Sequence, residues 1–576
     1  MRHAAIVFVG VVGCGAPVDG TPVPARADVV GQSGRVLSPG CVGSGYATVQ
    51  SAIAAAATGD VVEVCPGTYR ERLTVTGKTI TVRSRDGAAT TIVDAQSLGR
   101  TLSVTGGASV TVEDLTLQNG STSGPGGNLY CSASTLTVRG VVATNGRAND
   151  GGGLGVLATC TGSVEDSTFQ DNSSTWRGGG ISVHGDAFAV RDNTLVSNDA
   201  TTSGGGLFMD GDGDVTGNRL DGNSSAKWGG GAYVNYSWGE IADNTVIGNT
   251  SADDGAGIYV YFGAPIVERN TFDANDTDDE GGGLRIKLSE ATILDNVFTG
   301  NHADYRGGGL KVSHDEVVMA GNLFVDNDAY VTGGGALLYE SASDLSDETY
   351  EDNHADNGGA LAILEGWGDL LLQDSTFTGN SARVQGGHLY VDLPNHKTVA
   401  RRVTFYGGSA QTGGAVYAFE TGLTFENVVL DHNDATTSGG AMYLDGVTGK
   451  LTNAVVYWND APVGGGMTIV NGPAGFTITN TVFRENWTGA TLKVESGTAP
   501  VVRYSDFYKN SIDFAGMSSV IGANGNLAVS PSFVDGPAGD FHLTSTSAVR
   551  NVGDPAIWDV DGTRSDQGRY GGPNGY

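Results

Sequence analysis

Residues able to do chemistry recur in this sequence at intervals of about 26, and they fall into two sets. The first follows a series of glycine triplets. Its second post-triplet residue is Phe208, Tyr233, Tyr259, Arg285 and Lys311 in successive units, then Leu337, Ala362, Tyr390, Tyr417 and Tyr443, with Tyr261 and Lys287 two positions further on. Aromatic faces stack on sugar rings, and guanidinium or ammonium groups pair with uronate or sulfate. The second set occupies the turns just before the same strands: Asp253, Asp254, Asp278, Asp279, Glu280 and Asp304, enough carboxylate oxygens for Ca2+. Together these are the parts of a calcium-assisted elimination, in which the metal acidifies the carbon beside a carboxylate and a Lys or Arg removes the proton. The plainer reading is that Tyr and Lys favour strands and solubility while acidic turns are ordinary. The chemical reading requires the second post-triplet residues to form one solvent-facing stripe.

The elements that would position them follow from periodicity. The triplets end at Asn128, Gly153, Gly180, Gly206, Gly231, Gly257, Gly283, Gly309, Gly335, Ala360, His388, Ala415, Ala441 and Gly466. After them the first and third residues are apolar, as in Ile181 and Val183, Ile258 and Val260, or Leu310 and Val312. Period two is a strand with one buried face. In the same register runs a column of Asn172, Asn198, Asn223, Asn249, Asn275, Asn301, Asn327, Asn353 and Asn380, resumed at Asn433, Asn459 and Asn486 after a lapse at Gly408. A shorter column holds Asn193, Asn218, Asn244, Asn270, Asn296 and Asn322. Flexible linkers have no reason to keep such a register. Units this short close no core alone, so they must stack, each strand pairing with its equivalent in the next coil about 4.8 Å away. Three short strands and three turns fit the unit length, and stacked amides can bond along a column. The fold class is all-β: a single right-handed parallel β-helix of about 26 residues per coil.

The GGG/GGA element and the FxxN element, as in residues 281–284 and 272–275, resemble the paired motifs of the polymorphic outer-membrane protein repeat over roughly residues 101–518. That resemblance implies an exported bacterial β-helix at the cell surface and transfers no catalytic residue. YATVQSAIAAAATGD reads as a short capping helix, with Thr48 as N-cap and Gly59 as stop. VVEVCPGTYRERLTVTGKTITVRS resembles the opening of pectate-lyase-like helices. The segment SPSFVDGPAGDFHLTSTSAVRNVGDPAIWDVDGTRSDQGRYGGP resembles the terminal module of anchored β-helix proteins and is expected to cap the last coil. The organisation is thus 1–13 signal peptide, 14–40 tether, 41–67 N-terminal cap, 68–518 β-helix and 519–576 C-terminal cap.

Lys plus Arg number 32 against 64 Asp plus Glu, a net charge of −32. A field of this sign repels polyanions, so nucleic acid is not an expected partner. The opening MRHAAIVFVGVVGCG has an Arg and a short apolar run, the order of an export signal, and Val11-Val12-Gly13-Cys14 resembles a lipobox that would acylate Cys14. Setting Cys14 aside leaves Cys41, Cys65, Cys131 and Cys160. Proximity favours Cys41 with Cys65 and Cys131 with Cys160, although four cysteines allow three connectivities.

Neither the RxPxxR nor the WIDH signature of pectate lyases occurs; Leu430-Asp431-His432 is a fragment at most. Asp559, Asp561 and Asp566 form an Asp-rich turn without the bidentate Glu of an EF-hand. Two readings therefore stand: a monomeric, non-catalytic surface rod for adhesion, envelope architecture or recognition, and a polysaccharide-binding or calcium-assisted lyase-like protein. Both place the chain at the cell outer membrane or cell surface, or secreted. If Cys14 carries lipid, Cys14→Ser releases the protein from membranes with its fold intact. Wild type found wholly in the medium, without acyl mass on its N-terminal peptide, would contradict the anchor.

Overall fold

The computed structural model describes residues 35–43 and 45–575; Cys14 and the signal and lipobox reading lie outside them. One coil shows the plan. Ala232–Ser237, Glu240–Ala242, Thr245–Ile247 and Thr250–Ser251 are consecutive strands. Each pairs in parallel with its successor one coil on: Ala232 with Ile258, Ile241 with Val267, Val246 with Phe272, Ser251 with Thr277. The four ladders hold 19, 18, 18 and 14 strands, an all-β parallel solenoid of about 18 turns. The unit therefore has four strands where three were expected. The fourth is two residues long in most coils, and its single inward residue is small (Ala200, Ser225, Ser251, Thr277, Ala303), so apolar periodicity does not announce it.

Alternation in the first three ladders sends one face inward and builds one continuous core. At its centre Phe272, Phe298, Phe324, Tyr350 and Phe377 stack ring on ring at 4.8, 4.6, 4.7 and 4.7 Å, close to the coil spacing. Each such ring removed from water contributes roughly 1.5–3 kcal/mol. The triplets make the sharp corner from the fourth ladder back to the first. Gly281 has φ +72°, and a Cβ on Gly282 would lie 2.3 Å from the His302 carbonyl oxygen. Side chains are excluded there by contact with the neighbouring coil.

Both Asn columns are buried and bonded along the axis. Asn249 Nδ2 donates to Asn275 Oδ1 at 2.9 Å and to the Leu220 carbonyl at 3.0 Å, and its backbone N–H donates to the same Oδ1 at 3.1 Å. Asn275 repeats this with Asn301, and Asn301 with Asn327. Each amide thus satisfies a strand carbonyl and a turn N–H of the coil behind it and donates to the amide oxygen of the coil ahead, as Asn275 does for Val246, Asn249 and Asn301. The lapse at Gly408 is bridged. His388, from the third triplet position, accepts from Asn380 Nδ2 at 3.1 Å through Nδ1, and its Nε2 lies 3.2 Å from Asn433 Oδ1. The ring fills the space of the missing amide: a Cβ on Gly408 would lie 2.5 Å from His388. Asn128 acts likewise beside Gly146, reaching Asn172 Oδ1 at 3.1 Å. Burial pushes His388 down to about 3, so it bridges as a neutral ring. The shorter column ends on a carboxyl: Asn322 Nδ2 donates to Glu348 Oε1 at 2.9 Å, and burial pushes Glu348 up to about 8.

The first coil is closed by a helix, Val49–Ala55, whose Val49, Ala52 and Ile53 are buried. Thr48 Oγ1 caps it at 3.0 Å from Ser51 N, and the Glu71 carboxylate accepts from Val49 N and Gln50 N at 3.0 and 2.9 Å. Lys78 Nζ binds the carbonyls of Ile53, Ala54 and Ala56, ending the helix before Gly59. Val61–Val64, inside the span read as a cap, already pairs with Thr81–Ser84 as a solenoid strand. Disulfides join Cys41 to Cys65 and Cys131 to Cys160, with Cα separations of 5.5 and 5.9 Å.

At the other end the expected arrangement is corrected. The core is closed by Phe514, Met517 and Val520, whereas the chain from Phe533 onward lies along the flank. There Phe533 and Phe541 pack on Val429, Val455, Tyr457 and Val482 of four third-ladder positions. Asn427, Asn453 and Asn480 hold it: Asn427 Nδ2 donates to the Gly571 carbonyl at 2.7 Å, and Asp554 N donates to Asn480 Oδ1 at 2.7 Å. A flank with outward Val and Tyr side chains needs cover, and this segment supplies it.

Two stability predictions follow from the columns. His388→Gly lowers the unfolding free energy by about 2–4 kcal/mol, and adding Gly408→Asn to it restores most of the loss; Gly408→Asn alone is destabilising because His388 occupies the space. Urea unfolding of the three variants checks this. Glu348 has a raised folded pKa, so its contribution is fully present below its unfolded value near 4.5 and is lost as pH rises through about 8. Glu348→Gln should match wild type near pH 4 and exceed it by on the order of 2–4 kcal/mol above pH 8, read as unfolding midpoints across that range.

Candidate functional site

The stripe of second post-triplet residues does not face solvent. Phe208, Arg285 and Lys311 are 1, 2 and 3% exposed, Tyr259 is buried with them, and Leu337 and Ala362 are fully enclosed. Tyr233, Tyr390 and Tyr443 are half-buried and Tyr417 is buried. The cause is the triplet corner, which folds the chain just before it back over the outer face of the first ladder. Arg177 covers Phe208 at 4.7 Å, and Trp228 covers Tyr233 at 6.3 Å. Below this cover the rings of Phe208, Tyr233 and Tyr259 stack at 5.6 and 5.2 Å. A period-two pattern tells inward from outward, but not whether a later segment covers the outward side.

The acidic turns belong to the same cover, and they meet the cations. Arg285 lies 3.8 Å from Asp254 and 3.6 Å from Glu280, donates to Ser313 Oγ at 2.7 Å, and Glu280 also pairs with Lys311. Burial pushes Lys311 down to about 8 and Asp254 up to about 6, and raises Asp279 as well. The carboxylates read as calcium ligands and the cations read as sugar ligands thus neutralise one another in a buried network. Breaking one member would leave a buried charge unmatched. Asp253, Asp278 and Asp304 lie outside this network's ion pairs, and among the described residues no three His, Cys, Asp or Glu side chains are grouped to hold a metal ion. In the Asp-rich turn, Asp559 accepts from Asp566 N at 3.0 Å and Asp561 from Thr563 N at 2.8 Å.

Exposed chemistry sits three positions further along the same strands. Tyr261 and Lys287 remain half-exposed, and the residue after each turns into a cleft of about 470 Å³ lined by Trp238, Phe262, Leu288, His314 and Trp367 with Asp315. Trp238 and Trp367 are 61 and 53% exposed. Tyr236 stacks on Phe262 at 5.4 Å, and His314 lies 6.5 Å from Trp367. Four successive coils place Tyr236, Phe262, Leu288 and His314 in the left-handed region, at φ 51°, 58°, 55° and 62°. Bulky side chains there cost about 1–3 kcal/mol each, and later coils carry Glu340, Glu420 or Gly446 at this position. The left-handed turn itself recurs in later coils, at Glu340, Glu365, Glu420 and Asn471, so these four coils differ in the size of the side chains they display there. At its edge Asp315 accepts from Ser289 N, burial pushes it up to about 7, and its Oδ2 has no partner.

A second exposed row lies beside the C-terminal segment. Tyr406, His432, Trp458 and Trp487 follow one another at 5.5, 5.1 and 6.0 Å. His432 and Trp458 stand at φ 56° and 55°, directly before Asn433 and Asn459, where other coils have Gly248, Gly300 or Asp326. Asp431, buried behind His432 and hydrogen-bonded to it at 2.5 Å, is pushed up to about 6 by burial. Phe262, His314, His432 and Trp458 stand out in the sequence as rings at turn positions that other coils give mostly to small or polar residues such as Gly248, Ala274, Asp326, Glu340 and Glu420.

A family model described as right handed beta helix region matches residues 179–348 and 230–401. The chain carries a right-handed β-helix. No curated protein matches it. Among solved structures it is similar to a mannuronic acid specific polysaccharide family 6 lyase from human gut microbiota, at 12% identity over 60% of this chain and 81% of that one, TM-score 0.33. An alginate lyase in complex with G6 matches at 13% identity over 63 and 82% of the two chains, TM-score 0.32, and a pectate lyase at 13% over 93 and 96%, TM-score 0.21. At such scores the likeness says nothing of chemistry.

Proposed function

We propose that this protein is an exported surface rod that recognises polysaccharide through the turn face bearing Trp238, Phe262, Leu288, His314 and Trp367. The observation that carries the reading is the run of bulky side chains at this turn on four adjacent coils, which line an aromatic-walled cleft where most later coils carry a polar residue or glycine, as at Glu340, Glu365, Glu420 and Gly446. Aromatic walls in a concave site offer the apolar face of a sugar ring a partner, while Glu290 and Glu316 at the rim offer hydroxyl acceptors. A stack of identical coils presents such groups along an axis, which suits an extended polymer. Export, attachment through lipid at Cys14 and a place at the outer membrane complete the proposal, supported by the lipobox-like VVGC and the resemblance to polymorphic outer-membrane protein repeats.

A second reading, cleavage of the bound glycan, is favoured by Asp315: an acid held protonated to about 7 is suited to donate a proton in the cleft. Affinity electrophoresis in a panel of neutral and acidic polysaccharides tests both. Trp238→Ala with Trp367→Ala should weaken retention by about tenfold or more without lowering the unfolding midpoint, and wild type that is retarded by no glycan overturns the reading. Release of new chain ends by wild type and not by Asp315→Asn would select cleavage over recognition alone.

A further inference from the structure

A second, separate cleft lies where the first two coils meet the capping helix. It measures about 700 Å³, and Arg70, Arg72 and Arg100 converge on it. This is unusual for the chain. With two acidic residues for every basic one, arginines here are commonly matched to a carboxylate, as Arg83 is to Glu63 and Arg269 to Asp243. Arg70, Arg72 and Arg100 make no ion pair among the described residues. Arg72 donates one bond to the Leu98 carbonyl at 3.0 Å and Arg100 one to the Pro125 carbonyl at 2.8 Å; Arg70 makes no hydrogen bond among the described residues. A guanidinium carries five N–H donors, so most of those facing the cleft are left for something else.

The two carboxylates in the cleft are already engaged. Glu71 receives the first two N–H groups of the helix, and Asp94 accepts from Gln96 N at 2.8 Å, Asn119 at 3.0 Å and Gln118 at 3.1 Å. The arginines are also held in place. Arg100 stacks over Tyr130 at 4.2 Å, and Arg72 and Arg100 lie against Gly99 and Gly124, where a Cβ would come within 3.1 and 2.9 Å of their guanidinium nitrogens. The remaining lining is uncharged: Thr74, Gln96, Ser103 and Thr122 offer polar side chains, Gln50 is bonded to the Thr74 backbone, and Leu73, Ala95 and Leu98 are apolar.

We propose that this cleft binds a segment of acidic polysaccharide, its carboxylate or sulfate groups taken by Arg70, Arg72 and Arg100 and its hydroxyls by the surrounding amides and Thr and Ser side chains. Planar guanidiniums pair bidentately with such anions. An open cleft of this size with uncharged walls between the charges suits a sugar polymer better than a single small anion. The site stands apart from the aromatic cleft and does not depend on it.

The test uses the whole exported chain in low and high salt, with polygalacturonate and dextran sulfate as probes and dextran as the neutral control. Wild type should bind a charged probe with affinity that falls as salt rises. Arg70→Ala, which loses no internal bond, should weaken it several-fold, and Arg70→Ala with Arg72→Ala about tenfold or more, with an unchanged unfolding midpoint. Preference for polygalacturonate or for dextran sulfate identifies the anion as carboxylate or sulfate. The Trp238→Ala, Trp367→Ala protein should bind the charged probe as wild type does, which separates this site from the aromatic one. Absence of binding to both charged probes in low salt, or equal binding by the arginine variants, overturns the proposal.

Discussion

Everything in this molecule depends on coil n lying on coil n+1 without a slip. Apolar alternation alone does not secure that: it forbids a slip of one residue, which would turn the buried face outward, but a slip of two keeps the same face inward. The side-chain amides remove the freedom. Asn275 and Asn301 each bind a carbonyl and a backbone N–H of the previous coil and the amide oxygen of the next, so one displaced residue would strand several buried polar groups. Register, the aromatic stack behind the amides and the triplet corners are consequences of the same bonding.

That constraint explains why irregularities come in compensated pairs. Gly408 breaks the column only where His388 fills it, and Gly146 only where Asn128 does. A buried turn must satisfy its polar groups from some side chain, and the third triplet position is the neighbour that can reach. Glu348 solves the end of the shorter column differently, by keeping its proton.

Surfaces obey a different rule. Since register fixes which positions turn outward, function can be written only where a turn residue escapes the columns. Both aromatic rows are of this kind: Phe262 and His314 after the first ladder, His432 and Trp458 before the amide column, all at positive φ. The arginine cleft arises where the repeat meets the capping helix, so that side chains of non-equivalent coils converge. By contrast Arg285 and Lys311, chemically the most inviting residues in the repeat, neutralise Asp254 and Glu280 beneath the triplet corner.

The sequence by itself determined the fold class, the coil length, the inward residues of the main strands, both amide columns and the closeness of the cysteine pairs. Each is a periodic or local property: alternation marks a buried face, and an Asn every 25 to 27 residues has no reason to persist unless its amide is stacked. Only the tertiary structure decided what lies over what. The fourth strand is too short and too polar to leave a period. The second post-triplet position was legible as outward, yet its cover comes from the preceding turn. The C-terminal segment was legible as a module, yet its site is the flank at Val429, Val455 and Val482, chosen by apolar area that no local pattern encodes. Arg70 and Arg72 are neighbours in sequence, but Arg100 meets them only because coils are stacked at one end under a helix, a proximity set by packing rather than by spacing.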